Sequence, residues 1–362
     1  MENLSVIGIG KLGLCISLIL EKIGFKVFGI DVDSKYVELL NNKKFKSTEP
    51  KVNDYLKYSS NFLATTDFKV VLNSDIIFIY VDTPSLPDGR YDHSRIDQVV
   101  DELLKLGSQK SKKHIIIGCT VMPGYCDFLR NKVHKLGYIV SYNPEFIAQG
   151  SIINDLLNPD LILIGEGDKY VGKYLEKIYS LFVQNKPTIH KVSPKEAEIS
   201  KIALNCFLTT KIAYANMIGD IANLAGCNPD VILGVVGSDS RIGEKNLKYG
   251  YGFGGPCLPR DNRALKIYAK DIGVDANISA ATDKANKLHL EYQIENFVKN
   301  NNKEKQIIFS DICYKTNTNI IEESQKLALA VSLAKKGYKI LIKDRKEVVK
   351  KIKYVYGDLF DY

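Results

Sequence analysis

The chain is predicted to be an α/β protein: a doubly wound parallel-sheet domain first, a central domain built on a long helix, and a shortened second sheet-and-helix domain last. Three observations predict this. Apolar runs alternate with helical stretches through the first half, a helical pattern without internal proline fills 193–226, and one strand–helix–strand pattern follows residue 305. The expected domains are 1–193, 194–302 and 303–362.

The first domain opens with a β-α-β unit. "LSVIGIG" is a short apolar run ending in glycine, "LGLCISLILEKIG" carries apolar residues at helical spacing and stops at Gly24, and "KVFGID" is a second apolar run ending in an acid. Gly8, Gly10 and Gly13 form a G-x-G-x-x-G turn at the start of that helix. Such a turn reverses tightly, lets backbone approach a pyrophosphate, and packs helix on strand, with Lys11 and Leu12 supplying the first helical N–H groups. With strand, helix and acid in place, the unit reads as a Rossmann-type dinucleotide site. Asp31 stands near the offset expected of the carboxylate that binds adenosine ribose hydroxyls, which favours NAD over NADP. Asp33 and Lys35 follow closely, leaving open a second ribose contact or a mixed cofactor preference.

Strand-like runs continue at "DIIFIYVDTPS", "HIIIGCTVMPG" and "YIVSYNPEF", each ending in a polar or proline turn. In doubly wound sheets the loops at the carboxyl ends of strands line the ligand crevice. Thr83, Thr120 and Glu145 fall in those loops, although each taken alone also reads as a turn residue.

Composition narrows the class. The chain is 45% apolar and 25% charged, so it can build proper cores, and it contains no run of eighteen apolar residues and no signal-peptide pattern. A non-membrane, cytoplasmic protein is expected. Seven cysteines, odd in number and never spaced C-x-x-C, suggest a reducing compartment and neither a disulfide framework nor a metal site. The net charge of +8 is spread along the chain without a basic and aromatic stripe. It reads as a solvated lysine surface, with an anionic small molecule as the other reading, and no nucleic-acid partner is expected.

The helical stretch 193–226 opens with the serine, proline and glutamate of a helix start and stops at glycine. A helix this long suits an interdomain spine or a dimer element, so a homodimer is expected. Lys201 and Asn205, at i and i+4, share one face of it. Beyond lies a second glycine-rich turn, "GYGFGGPCLPRDN", with one cysteine between glycines and a proline.

Taken in order, "GIGKLG", "VDTPS", "CTVMPG", "NPEFIAQG", "KIALNCF", "DSRIG" and "GYGFGGPCLPRD" resemble the UDP-glucose and GDP-mannose dehydrogenase family over roughly residues 1 to 300. "NPEF" and the "GGxCLP(K/R)D" form are most similar to the UDP-glucose 6-dehydrogenase branch. The resemblance implies NAD as cofactor, UDP-glucose as substrate and a two-step oxidation of a primary alcohol to a carboxylate. It makes Cys257 the nucleophile that holds the intermediate aldehyde as a thiohemiacetal and then a thioester. Asp261 would position or deprotonate water, Lys201 would stabilise the oxyanion, Asn205 would bond the same region, and Thr120 and Glu145 would order the proton-transfer water. On the substrate side it places Phe146, Gln149, Tyr249, Phe253 and Gly254, with Arg241, Lys248 and Lys315 toward the nucleotide phosphates.

Several positions depart from the family pattern. Gln149 stands where an acid is usual, Arg260 where a lysine is usual, Asp311 at a glycine position, and Glu322 at an arginine position. Residues 305–362 supply about one βαβ unit where the family has a full second nucleotide-binding domain. Two expectations follow: an active four-electron nucleotide-sugar dehydrogenase, with GDP-mannose as the alternative substrate, or an inactive nucleotide-sugar binding protein.

Overall fold

The apolar runs that open the chain fold as strands β1 (Asn3–Ile7) and β2 (Lys26–Ile30), joined by helix α1 (Lys11–Lys22). The computed structural model describes residues 2–109, 111–316 and 318–362. The alternation continues through α2 (Ser34–Asn41), α3 (Val52–Tyr58), β3 (Phe62–Thr65), β4 (Ile76–Ile79), α4 (Ser94–Lys105), β5 (Lys113–Ile117), α5 (Tyr125–Val133) and β6 (Tyr138–Tyr142). It closes with α6 (Ile152–Leu157), β7 (Leu161–Gly165), α7 (Lys169–Phe182) and β8 (Thr188–Val192).

These strands make one sheet in the order β3-β2-β1-β4-β5-β6-β7-β8. The order reverses between β1 and β4, which is where a doubly wound sheet opens its ligand crevice. Pairing is parallel except at β6 and β7, which meet antiparallel through Tyr142 and Gly165. Alternate strand residues face opposite layers. Leu4 and Val6 pack with Leu14 and Leu18 of α1 and with Leu175 and Ile178 of α7. Ile7, Ile77 and Ile115 pack on the other face with Ile96 and Val100 of α4 and Leu129 of α5. The α/β fold expected from the sequence is therefore borne out.

Helix α8 (Pro194–Leu224) opens with a capping box: Glu196 Oε2 accepts from the Ser193 N–H at 2.7 Å, and Ser193 Oγ accepts from the Glu196 N–H at 3.3 Å. It stops before Gly226, whose φ of +71° suits glycine. Two compact units divide the chain inside this helix, the first ending at Lys201 and the second running from Ile202 to Tyr362.

The second unit continues with α9 (Pro229–Ser238), α10 (Leu258–Asp271) and α11 (Asn277–Asn300), then β9 (Ile307–Phe309), α12 (Gln325–Lys335), β10 (Ile340–Ile342) and α13 (Lys346–Tyr356). Strands β9 and β10 pair in parallel, and α12 is the crossover between them. The lysine-rich stretch after β10 is helical because Val348 and Ile352, at i and i+4, bury against Leu333 and Phe360 while its lysines stay outside. Asp311 adopts φ +47°, the left-handed region in which a glycine costs nothing and an aspartate is among the better-tolerated alternatives.

Candidate active site

The glycine turn after β1 divides its labour. Gly8 has φ +81°, and a Cβ at Gly13 would stand 2.0 Å from the Gly8 carbonyl oxygen, so these two positions are fixed by the chain's own packing. Around Gly10 a Cβ would meet nothing within 4 Å. That open space lies directly before α1, whose N-cap is Gly10 and whose first turn has no side-chain cap. The backbone N–H groups of Lys11 and Leu12 thus front an open cradle suited to an anion.

At the end of β2 the Asp31 carboxylate accepts a 3.2 Å contact from the Asp33 N–H, and Asp31 is half-buried. Asp33 caps α2, accepting from the N–H groups of Lys35 at 3.0 Å and Tyr36 at 3.1 Å. The Lys35 side chain is exposed. Lys11 Nζ donates to Gln149 Oε1 at 2.9 Å, so the unusual amide after β6 is tied to the first residue of α1.

The loops after β4 and β5 are joined by Thr83, whose hydroxyl donates to the Thr120 carbonyl at 2.8 Å. A second tie comes from α8. Buried Glu198 accepts from the backbone N–H groups of Gly124 at 2.5 Å and Cys126 at 2.8 Å, satisfying the N-terminal donors of α5. One turn on, Lys201 Nζ donates to the carbonyl of Glu145 at 2.7 Å and lies 4.3 Å from the Phe146 ring centre.

Glu145 itself turns its carboxyl inward. Its oxygen accepts from the Tyr179 hydroxyl at 3.0 Å, and Tyr80 lines the same small cavity. Burial raises this carboxyl from 4.5 to about 7, against the opposing pull of Tyr179, Lys201 and Tyr80. Nothing in the sequence singles out Tyr80 or Tyr179, and Asn143 enters only as the first residue of "NPEF", without a role of its own. Tyr80 directly follows the apolar run of β4 and Tyr179 sits at an apolar position of α7, so both read as core.

The second unit gathers another group. Cys257 is exposed and is the N-cap residue of α10, the helix end that favours negative charge. One turn into that helix Asp261 is buried, accepting from Asn205 Nδ2 at 2.6 Å and lying 3.4 Å from Arg260 Nε. Phe253 is buried, and its N–H and carbonyl are clamped by the Asn286 amide at 2.9 and 3.0 Å. The glycines before the thiol are required. A Cβ at Gly254 would stand 2.2 Å from the Glu323 carbonyl oxygen, and one at Gly255, with φ +80°, 2.4 Å from the Tyr314 ring.

Tyr249 donates to Asp220 Oδ1 at 2.9 Å, and the buried His289 bridges the same carboxylate and the Gly250 carbonyl. Arg241 and Lys248 are exposed, Arg241 paired with Asp239 at 2.6 Å. The Lys315 carbonyl accepts from the Thr318 hydroxyl at 2.8 Å, and Glu322 is exposed.

Family models match two stretches of this chain: residues 2–183 correspond to the UDP-glucose/GDP-mannose dehydrogenase family, NAD binding domain, and residues 195–288 to the central domain of that family. The chain belongs to the UDP-glucose/GDP-mannose dehydrogenase family. It is 30% identical over 358 residues to GDP-mannose 6-dehydrogenase of Pseudomonas aeruginosa, an alignment covering 95% of this chain and 81% of that protein. To UDP-glucose 6-dehydrogenase of Rickettsia prowazekii it is 31% identical over 343 residues, 92% of this chain and 79% of the relative. A UDP-glucose dehydrogenase structure from Pyrobaculum islandicum superposes with a TM-score of 0.90 at 28% identity, over 100% of this chain and 86% of the other.

NAD is the cofactor of this dehydrogenase family, and the residues present fit it. The cradle at Gly10 is the space a side chain would fill, the first N–H groups of α1 front it, and the Asp31 carboxylate stands at the end of the neighbouring strand. If Asp31 holds the ribose hydroxyls, NAD is preferred over NADP by at least about tenfold in kcat/KM, about 1.4 kcal/mol. The Asp31→Ala variant should narrow that gap. Equal use of both cofactors by the unmodified protein would remove Asp31 from the cofactor site. Among the described residues no helix is long and apolar enough to cross a membrane, and no group of three or more metal-ligating side chains occurs.

Proposed function

We propose that this protein catalyses the NAD-dependent, four-electron oxidation of UDP-glucose to UDP-glucuronate in the cytoplasm. The observation that carries the reading is the exposed Cys257 at the head of α10, one turn from a buried Asp261 bound to Asn205. Bound NAD supplies the hydride acceptor for each oxidation. Cys257 adds through sulfur to the intermediate aldehyde, so the aldehyde is retained as a thiohemiacetal. The thioester that follows is opened by water, with the carboxylate released and the thiol restored.

In this scheme Asp261, oriented by Asn205, positions the hydrolytic water. Lys201 supplies positive charge for the oxyanion, and Glu145 with Thr120 orders the water through which the alcohol proton is transferred. Phe146, Gln149, Tyr249, Phe253 and Gly254 contact the sugar, while Arg241, Lys248 and Lys315 serve the diphosphate. The central segment 194–302 provides a homodimer interface. Phe207, Tyr214, Ile221 and Leu224 of α8, with Val231 and Val235 of α9, support it as exposed apolar side chains. The segment 303–362 is the shortened nucleotide-binding domain.

GDP-mannose is the second reading, supported by the Pseudomonas aeruginosa relative. Product mass spectrometry beside an NADH count separates the two. Two NADH per UDP-glucuronate, with no free aldehyde, is the expected result; one NADH per product, or turnover with GDP-mannose alone, overturns it. A dimer mass in sedimentation of the same sample is expected, and a monomer would remove the interface.

A further inference from the structure

The surroundings of Glu145 contain more acceptors than donors. The Tyr179 hydroxyl lies 3.0 Å from Glu145 Oε1 and 2.9 Å from Asn143 Oδ1. The Asn143 amide is not free to turn, because its Nδ2 donates to the Leu163 carbonyl at 3.0 Å, which fixes Oδ1 as the atom facing Tyr179. Tyr179 keeps its proton, since burial and the charge of Glu145 push its pKa well up. One O–H therefore faces two acceptors and can serve only one at a time.

We propose that Tyr179 and Asn143 act as positioning residues that set when Glu145 gives up or takes a proton. With Glu145 ionised, the Tyr179 O–H turns to Oε1. With Glu145 protonated, the carboxyl O–H donates to the Tyr179 oxygen and the tyrosine O–H turns to Asn143 Oδ1. No proton leaves the tyrosine in either state; the protonated state matches all three groups, whereas the ionised state gives up the Tyr179–Asn143 bond in exchange for a donor to the charged oxygen. The inference rests on the reading of Glu145 as a group that orders the proton-transfer water.

The other groups facing this carboxyl are few. Tyr80, after β4, faces it and favours its ionised form, with Cys119 near that tyrosine, and Lys201 from α8 acts on it through charge. The remaining neighbours, Ile16 and Leu20 of α1, Phe78 of β4, and Leu175, Ile178 and Phe182 of α7, are apolar, and the cavity among them measures about 20 Å³. In such a largely apolar setting the placement of one hydroxyl proton weighs heavily on the ionisation of its neighbour.

Two substitutions move Glu145 in opposite directions. Tyr179→Phe deletes the donor to the ionised form and raises the Glu145 pKa by about one unit. Asn143→Ala deletes the competing acceptor, leaves the O–H to Glu145 alone and lowers that pKa. The measurement is an infrared pH titration of the protonated-carboxyl band that vanishes in Glu145→Gln. The acid limb of the kcat/KM profile should shift with it, up for Tyr179→Phe and down for Asn143→Ala. Shifts of the same sign, or none, overturn the proposal. Should Asn143→Ala fail to fold, the isosteric Tyr179→Phe decides alone, and an unmoved band overturns it. Opposite shifts in a protein that oxidises no nucleotide sugar would keep the proton arrangement and reject the enzymatic reading.

Discussion

Cys257→Ser should bind NAD and UDP-glucose with little loss yet produce uronic acid at least about a thousandfold more slowly, the scale on which removal of a nucleophile is felt. A serine must form an alkoxide to attack, which at neutral pH is far harder than forming a thiolate, and the resulting ester hydrolyses more slowly than a thioester. The chain provides its own control. Four of the seven cysteines are buried and Cys119 is partly so, leaving Cys227 as the other exposed thiol. It lies between α8 and α9, outside the glycine loop. Cys227→Ser should leave acid production intact, and thiol alkylation of that variant should still abolish it. Acid production by Cys257→Ser at the unmodified rate would make the loop cysteine structural.

Glu145→Gln should change the pH dependence of stability as well as the chemistry. The folded carboxyl titrates at about 7 where the free group titrates at 4.5, because burial favours its neutral form. Between those values the folded state holds a proton that the unfolded state releases, so stability falls as pH rises through that window. At 1.36 kcal/mol per unit the loss amounts to about 3 kcal/mol above pH 7. The glutamine variant lacks this titration. Relative to the unmodified protein it should therefore gain about 3 kcal/mol between pH 4 and pH 8 in urea-melting experiments. A constant difference across that range would mean that the Glu145 carboxyl titrates in the fold where it does in the unfolded chain.

The parts of the site legible in the sequence are those built by local chemistry. The turn at Gly8 and Gly13 announces itself because left-handed backbone and close packing leave no substitute, while Gly10 between them keeps the cradle open, and close packing likewise requires Gly254 and Gly255 before the thiol. The start of α8 is readable from Ser193 and Glu196, which satisfy each other within four residues. Direction is what a sequence does not carry. Nothing in "NPEF" tells that the Glu145 side chain turns inward to Tyr179, because that depends on a helix more than thirty residues downstream. The antiparallel meeting of β6 and β7 is equally hidden, since β7 is an apolar run that fits either orientation. That Asp33 caps α2 is likewise hidden, since an acid just past a strand fits a helix start as well as a ribose contact.

One turn of α8 has a consequence for engineering. Glu198 grips the loop that follows β5, and Lys201, three residues on, grips the backbone that follows β6. The two loops therefore share a single anchor and have no independent adjustment. A graft that replaces the Thr120 loop with one of different length would tug on the helix and drag the Glu145 backbone with it. Loop exchange between relatives should accordingly be done as a cassette, both loops and residues 198–201 together, since half a cassette would mismatch its own fastening.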